Sequence, residues 1–261
     1  MADVFEIKDL QFAYGTNEVI KGLSVNIAEG KVTTLIGANG CGKSTLFHLM
    51  TKSLKPKSGA ILLHGTNVQE MRLKEYARQV AIVHQYNTAP EDITVEKLVS
   101  YGRTPHHSFG IPADPKGDEE MILRALEITN TRKHKDTPVS QLSGGQKQRV
   151  WIAMAIAQGT KILFLDEPTT YLDIRYQLQI LKLVRTLNEQ YGMTVIMVLH
   201  DINQSLYYSD EIVAMKNGVI CAQGDPQRII TPELMKNVYG VDLRISALDG
   251  KPFILPVEEG E

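Results

Sequence analysis

The run Gly37-Ala38-Asn39-Gly40-Cys41-Gly42-Lys43-Ser44 fits the spacing G-x-x-x-x-G-K-[ST] without a mismatch. Those residue types in that order suit the cradling of a polyphosphate. Glycines at 37, 40 and 42 let the backbone turn its amide hydrogens onto phosphate oxygens. Lys43 adds a cation for the β- and γ-phosphates, and the Ser44 hydroxyl offers a ligand to Mg²⁺. A chance glycine-rich turn is the competing reading. The context argues against it, because residues 32–36 are apolar and β-branched like a buried strand and residues 44–50 read as a helix. Three further stretches bear on phosphate chemistry. Asp166-Glu167 closes an apolar run that begins at Lys161; beside a phosphate loop, Asp166 would hold Mg²⁺ and Glu167 would orient or deprotonate the attacking water. Acidic pairs also simply mark strand ends. His200-Asp201 closes the buried run 194–199, at a strand C-terminus, where open α/β sheets place their ligands. Leu142-Ser143-Gly144-Gly145-Gln146 leads into a helix; this is a second glycine-bearing helix start for phosphate oxygens, or an ordinary cap by Ser143.

The elements that must position these residues follow from periodicity. Residues 4–14 alternate as a strand, 15–18 form a turn, and 23–27 form a second strand. Tyr14 ends the first strand; an aromatic there can stack on a base, although position alone favours a core or edge tyrosine. A strand at 60–63, a helix at 71–79 and a strand at 81–84 lead to Gln85. Prolines 90, 105, 112, 115 and 138 then punctuate helices expected at 95–101 and 118–128, the texture of an inserted helical subdomain. His106-His107 neither share a helix face nor match a zinc spacing, so they read as exposed loop histidines. Asp118-Glu119-Glu120 reads as a first helical turn satisfying the dipole. Residues 212–215 and 219–222 flank Asn217-Gly218 as a hairpin. A helix at 232–238, strands near 243–245 and 253–255, and a solvated acidic tail at 258–261 complete the chain.

With 261 residues the chain is long enough for one functional unit with an inserted subdomain. Its net charge of -2, from 28 basic and 30 acidic residues, gives no footprint for a nucleic-acid backbone. The two cysteines, Cys41 and Cys221, suit a reducing compartment. No secretory signal is read at the N-terminus, and the apolar runs are strand-length, far short of a bilayer span. The expectation is a soluble, cytoplasmic protein.

Taken in order, the motifs resemble the ATP-binding subunit of an ABC transporter over nearly the whole chain. The residues that carry the resemblance are the phosphate loop, Gln85, the signature pentapeptide at 142–146, Asp166-Glu167, the turn Tyr171-Leu172-Asp173, and His200. The resemblance implies an α/β fold, a RecA-like P-loop NTPase core (about 1–88 and 161–261) with an N-terminal antiparallel β-subdomain and an inserted α-helical subdomain (about 89–160). It implies an ATPase, a translocase coupling hydrolysis to transport. ATP would be bound by Tyr14, which stacks on adenine in the family, by Gly37, Ala38, Asn39, Gly40, Cys41, Gly42, Lys43, Ser44 and Thr45, and in trans by Ser143, Gly144, Gly145 and Gln146. Glu167, His200, Gln85 and Lys43 would be catalytic, Ser44, Gln85 and Asp166 would hold Mg²⁺, and Asp173 would couple two copies across a dimer interface. The implied partners are a second copy, two transmembrane permease subunits that meet the Gln85 loop and the helical insert, and, indirectly, an extracytoplasmic substrate-binding protein. This places the chain on the cytoplasmic face of the inner membrane. Tyr101-Gly102-Arg103-Thr104-Pro105-His106, residues 151–155, 168–174 and 198–203, and the segment 224–240 are similar to the iron-chelate import branch, which haem and cobalamin importers share. Val83-His84-Gln85 departs from relatives that carry a proline before the glutamine. A non-transport ABC ATPase would normally carry a coiled-coil insertion or two cassettes, and this chain has neither.

Overall fold

The computed structural model describes residues 2–108, 111–112, 114–248 and 251–258; of the tail expected at 258–261, Glu258 ends the last strand and residues 259–261 lie outside those described. The chain forms two compact units, Met1–Met71 with Thr194–Glu261, and Arg72–Met193. It begins in the first with β1 (Asp3–Tyr14), β2 (Asn17–Ala28), β3 (Val32–Gly37), α1 (Lys43–Met50), β4 (Ser58–Leu63) and β5 (Thr66–Asn67). The second unit holds α2 (Leu73–Ala77), β6 (Val80–Val83), α3 (Val95–Ser100), a 3-10 turn at Tyr101–His106, α4 (Pro115–Ile128), α5 (Gly144–Ala157), β7 (Ile162–Asp166) and α6 (Ile174–Tyr191). The chain then returns to the first unit with β8 (Thr194–Val198), α7 (Ile202–Tyr208), β9 (Glu211–Lys216), β10 (Val219–Gly224), α8 (Pro226–Ile229), α9 (Pro232–Tyr239), β11 (Leu243–Leu248) and β12 (Lys251–Glu258). No helix among the described residues is long and apolar enough to cross a membrane.

In the first unit, β1 pairs antiparallel with β2 and β4, and β5 extends β4. This is the N-terminal antiparallel β-subdomain that the resemblance implies. Separately, β3 lies between β8 and β9, parallel to both, and β10 returns antiparallel on β9. Every residue of β3 and β8 is buried, as befits parallel strands covered on both faces, and this explains why they are spelled with apolar residues and threonine and no charge. Phe5 and Phe47 are among the largest fully buried side chains. The β9–β10 hairpin turns at Asn217-Gly218, both at positive φ, the chemistry that a two-residue turn requires. In the second unit β6 pairs parallel with β7.

Several elements differ in extent from the pattern: β11 and β12 outrun the strands expected near 243–245 and 253–255, and α4 starts at Pro115 rather than 118. The second strand spans Asn17–Ala28 because the turn is the tight Gly15-Thr16 pair, and the helix expected at 71–79 shrinks to Leu73–Ala77. The histidine pair differs in kind. His106 and His107 are half-buried rather than solvated: His107 Nε2 lies 2.9 Å from Asp118 Oδ2, and His106 Nε2 lies 2.8 Å from the Gln158 carbonyl. Arg103 Nε donates to Asp118 Oδ1 at 2.7 Å, and its Nη1 reaches the carbonyls of Ala157 and Gln158. Asp118 lies in the first turn of α4, as expected, and it is buried. It ties the 3-10 turn to α4, the kind of long-range pairing that spacing does not encode.

Desolvation raises the pKa of the Asp118 carboxyl, but hydrogen bonds and charge from Arg103 and His107 outweigh it, and the net result lies below the ordinary 3.8. A depressed folded-state pKa stabilises the fold fully above the unfolded value and is lost as pH falls through the folded one. Asp118→Asn is expected to cost about 1–3 kcal/mol at pH 7, a deficit that narrows as the pH falls below 3.8. Urea unfolding across pH reads this; a deficit that does not change with pH would rule out the ion pair as its source.

Candidate functional site

The site residues divide between the two units. In the first, β3 delivers the chain into the glycine-rich loop and α1 receives it. Gly37 has φ +150°, and a Cβ there would press into the Met215 carbonyl oxygen of β9 and lie 2.6 Å from Cys41 Sγ. Only glycine satisfies both conditions. Cys41 N–H closes the loop on the Ala38 carbonyl at 3.2 Å, and the Cys41 carbonyl accepts from Gly218 N–H at 2.9 Å, so the hairpin tip braces the loop. Asn39 and Gly40 are the solvent-facing crest, and Cys41 and Gly42 are buried beneath it.

Lys43 is buried, its ammonium donating to the carbonyls of Gly37 at 2.6 Å and Ala38 at 3.0 Å. Those partners are dipoles, so a phosphate oxygen offers this cation a stronger charge-assisted bond. Helix α1 starts at Gly42 in the left-handed region, with no side-chain cap and no acid in its first turn. By contrast Asp114, Ser143, Asp173, Asp201 and Thr231 each cap their own helices. The amides at the start of α1 therefore carry no side-chain partner, which is how a helix start receives an anion. Ser44 sits on the exposed side of α1 and Thr45 on the buried side. Tyr14, 51% exposed, ends β1 and packs edge-on against Phe12 at 4.8 Å between ring centres, so of the core or edge tyrosine that position favours it is not the core one. His200 is exposed immediately after β8, and Asp201 Oδ1 accepts from Gln204 N–H at 2.9 Å to start α7.

In the second unit, β7 delivers a buried Asp166 and then Glu167, whose φ is +48°. A non-glycine residue held there stores strain, and such residues collect at functional sites. Gln85 Nε2 donates to Glu167 Oε2 at 2.6 Å and Thr170 Oγ1 donates to the same oxygen at 3.1 Å. Two donors on one oxygen fix the direction of the carboxylate. Next to this pair, the hydroxyls of Tyr86 and Tyr171 meet at 3.1 Å, and Tyr171 also takes positive φ. Asp173 caps α6, accepting from Tyr176 N–H at 3.1 Å.

The signature stretch starts α5 with a capping box. Gln146 N–H reaches Ser143 Oγ at 3.4 Å, and Ser143 N–H donates to Gln146 Oε1 at 2.9 Å. The cap read from the sequence is thus real. Tyr176 lies against Gly145 so closely that no Cβ fits there, while Gly144 has room.

The structure brings together Gln85 with Glu167, and Lys43 with Gly37 and Ala38. Thr170 and Tyr239 join them without having been singled out from the sequence. Thr170 had a local signal, three residues after Glu167 in the same turn; Tyr239, whose hydroxyl accepts from Gly37 N–H at 3.1 Å from 202 positions away, had none.

The sequence profile of the ABC transporter family matches residues 20–170. The chain is similar to the iron(3+)-hydroxamate import ATP-binding protein FhuC of Bacillus subtilis (strain 168), 44% identical over 91% of this chain and 88% of that one. It is also similar to the ferric enterobactin transport ATP-binding protein FepC of Escherichia coli (strain K12), 42% identical over 96% and 93%. Its fold resembles a solved ATP-binding cassette, dimeric and in a post-hydrolysis state with ADP and Pi bound, at TM-score 0.74 and 25% identity over 85% of this chain and 98% of that one.

The contrast between two loop glycines tests the backbone account. Gly37→Ala meets both strained φ and filled space, and is expected to cost about 2–4 kcal/mol of stability. Gly40→Ala has positive φ but open surroundings, and is expected to cost about 1 kcal/mol. Equal losses in urea unfolding would contradict the close approach at Gly37.

Proposed function

Because the chain belongs to the ABC transporter family, we propose that it is the ATP-hydrolysing subunit of an importer that takes up an iron chelate, a ferric siderophore, through a membrane permease. The observation that carries the ATPase reading is α1: an uncapped helix start behind a glycine loop, with a buried lysine held only by carbonyl dipoles at the two bonds described. The cargo class is supported by the two relatives, whose names specify a ferric hydroxamate and ferric enterobactin.

In this reading the loop residues 37–45, including Asn39 and Cys41, wrap the phosphates, the amides at the start of α1 donate to them, and Lys43 moves from its carbonyls onto the β- and γ-phosphate oxygens. Tyr14 stacks on the adenine. Ser44, Asp166 and the Gln85 side-chain carbonyl supply hard oxygens of the kind Mg²⁺ takes together with phosphate, and Gln85 can do so because its amide nitrogen is engaged by Glu167. Among the described residues no group of three or more His, Cys, Asp or Glu forms a metal cage. When bound, that cation neutralises phosphate charge.

Glu167, aimed by Gln85 and Thr170, accepts a proton from water as the water oxygen bonds to the γ-phosphorus. The bond from that phosphorus to the bridging oxygen breaks, leaving ADP and inorganic phosphate. His200 contacts the γ-phosphate. A second copy completes each site in trans through Ser143, Gly144, Gly145 and Gln146, with Asp173 reporting between the copies, so that ATP binding closes the pair and hydrolysis releases it. We take the chain as a single cassette with residues 89–160 as its helical subdomain. It is bound peripherally to two permease subunits at the cytoplasmic face of the inner membrane and served indirectly by an extracytoplasmic substrate-binding protein.

Glu167→Gln is expected to bind ATP like the parent and to lose turnover by at least about a hundredfold, with ATP-bound dimers accumulating on size exclusion. Turnover near the parent rate would remove Glu167 from the base role. For cargo, cells carrying only the Lys43→Ala form are expected to lose uptake of labelled ferric siderophore while haem and cobalamin uptake persist. Selective loss of haem or cobalamin uptake would reassign the cargo.

A further inference from the structure

The first amide of the phosphate loop is not left to the sheet. Gly37 ends β3, and its N–H donates to the hydroxyl of Tyr239 at 3.1 Å, while its carbonyl accepts from Lys43 Nζ at 2.6 Å. Tyr239 is the last residue of α9; Gly240, at positive φ, stops the helix there. The ring packs against a buried cluster containing Ile36, Ile212, Met235, Val238 and Ile254. That cluster is itself pinned, because Asn203 Nδ2 donates to the Ile254 carbonyl at 3.0 Å and Ile254 N–H donates to Asn203 Oδ1 at 2.8 Å. The hydroxyl is thus held in place by helix, cluster and clasp together. Burial pushes its pKa up to about 12, so it stays neutral at working pH and can accept from an amide.

We infer that Tyr239 is a positioning residue for ATP binding, a side chain that touches no nucleotide and fixes the first peptide of the phosphate loop from behind. The inference rests on the ATPase reading above. Its physical basis is the sharing of Gly37. With Lys43 on the Gly37 and Ala38 carbonyls, the start of the loop is fixed from both sides. Once Lys43 transfers to phosphate, those two bonds are given up, and the Tyr239 hydroxyl remains the side-chain hold on Gly37. Losing it therefore weakens the nucleotide-bound form more than the same chain without nucleotide. A hydroxyl that merely satisfied a buried amide would weaken both forms alike.

Tyr239→Phe deletes this one oxygen. In full-length Glu167→Gln protein, where ATP is not consumed, calorimetric titration with MgATP is expected to give a Kd about fivefold weaker when Tyr239→Phe is added. The rise in melting temperature produced by MgATP should shrink in parallel. With the catalytic glutamate restored, KM for ATP should rise by about the same factor while kcat stays within about twofold. An unchanged Kd, or a melting temperature lowered equally with and without MgATP, overturns the positioning role. Because each protein is compared with itself with and without nucleotide, a general loss of stability in the Phe variant does not mask the result. Failure of the Glu167→Gln parent to bind MgATP would instead sink the ATPase reading, and this inference with it.

Discussion

At Gly37 two backbones come closer than any side chain would allow, and much of the first unit depends on that approach. Residue 37 of β3 faces residue 215 of β9 with no space for a Cβ. The loop that follows can then be held by main-chain atoms rather than by side chains that would compete for phosphate. Two stretches distant in sequence converge on it, the β9–β10 hairpin through Met215 and Gly218 and the end of α9 at Tyr239, and Cys41 of the loop itself packs beside them. Burying β3 on both faces keeps those main-chain atoms in register, so the hydrophobic core acts here as a jig for polar geometry.

The second unit stores its precision differently. It holds Glu167 and Tyr171 at backbone angles that bulky residues rarely take. The turn between them is closed by Thr170 N–H to the Glu167 carbonyl at 3.2 Å and by the contact between the two tyrosine hydroxyls. At its phosphate loop the first unit thus relies on glycine at positive φ, and at its strand end the second accepts strain to place a carboxylate. Ser143 combines two uses in one side chain: it starts α5, and in the proposed dimer it also faces a nucleotide held by the other copy.

What the sequence made legible, and what it hid, separates along the same line. The phosphate loop, the Asp166-Glu167 step and the signature stretch could be read because their chemistry demands particular residue types at adjacent positions. The Asn217-Gly218 turn could be read for the same reason. The alternation of β1 and the apolar runs of β3 and β8 gave the sheets, since burial on one or two faces leaves a direct imprint. His106 and His107 misled because each looks solvated until Gln158 and Asp118 arrive from elsewhere in the chain. Tyr239 gave no sign at all: a tyrosine at a helix end is ordinary until its hydroxyl is found on an amide 202 positions away. Positive φ at Glu167 was equally invisible, because strain belongs to the surroundings and not to the residue.

The uncapped start of α1 has a consequence for the amount of this protein that a cell can maintain. A helix start without a side-chain cap, behind a buried cation, forgoes stabilisation that α4, α5, α6, α7 and α9 supply for themselves. Nucleotide restores it, and a ligand present at about a hundred times its dissociation constant adds about 2.7 kcal/mol to the folded state. ATP is then a folding partner as well as a fuel. Substitutions in the loop would reduce abundance along with activity, because less of the chain would be shielded from proteolysis through its transient unfolding.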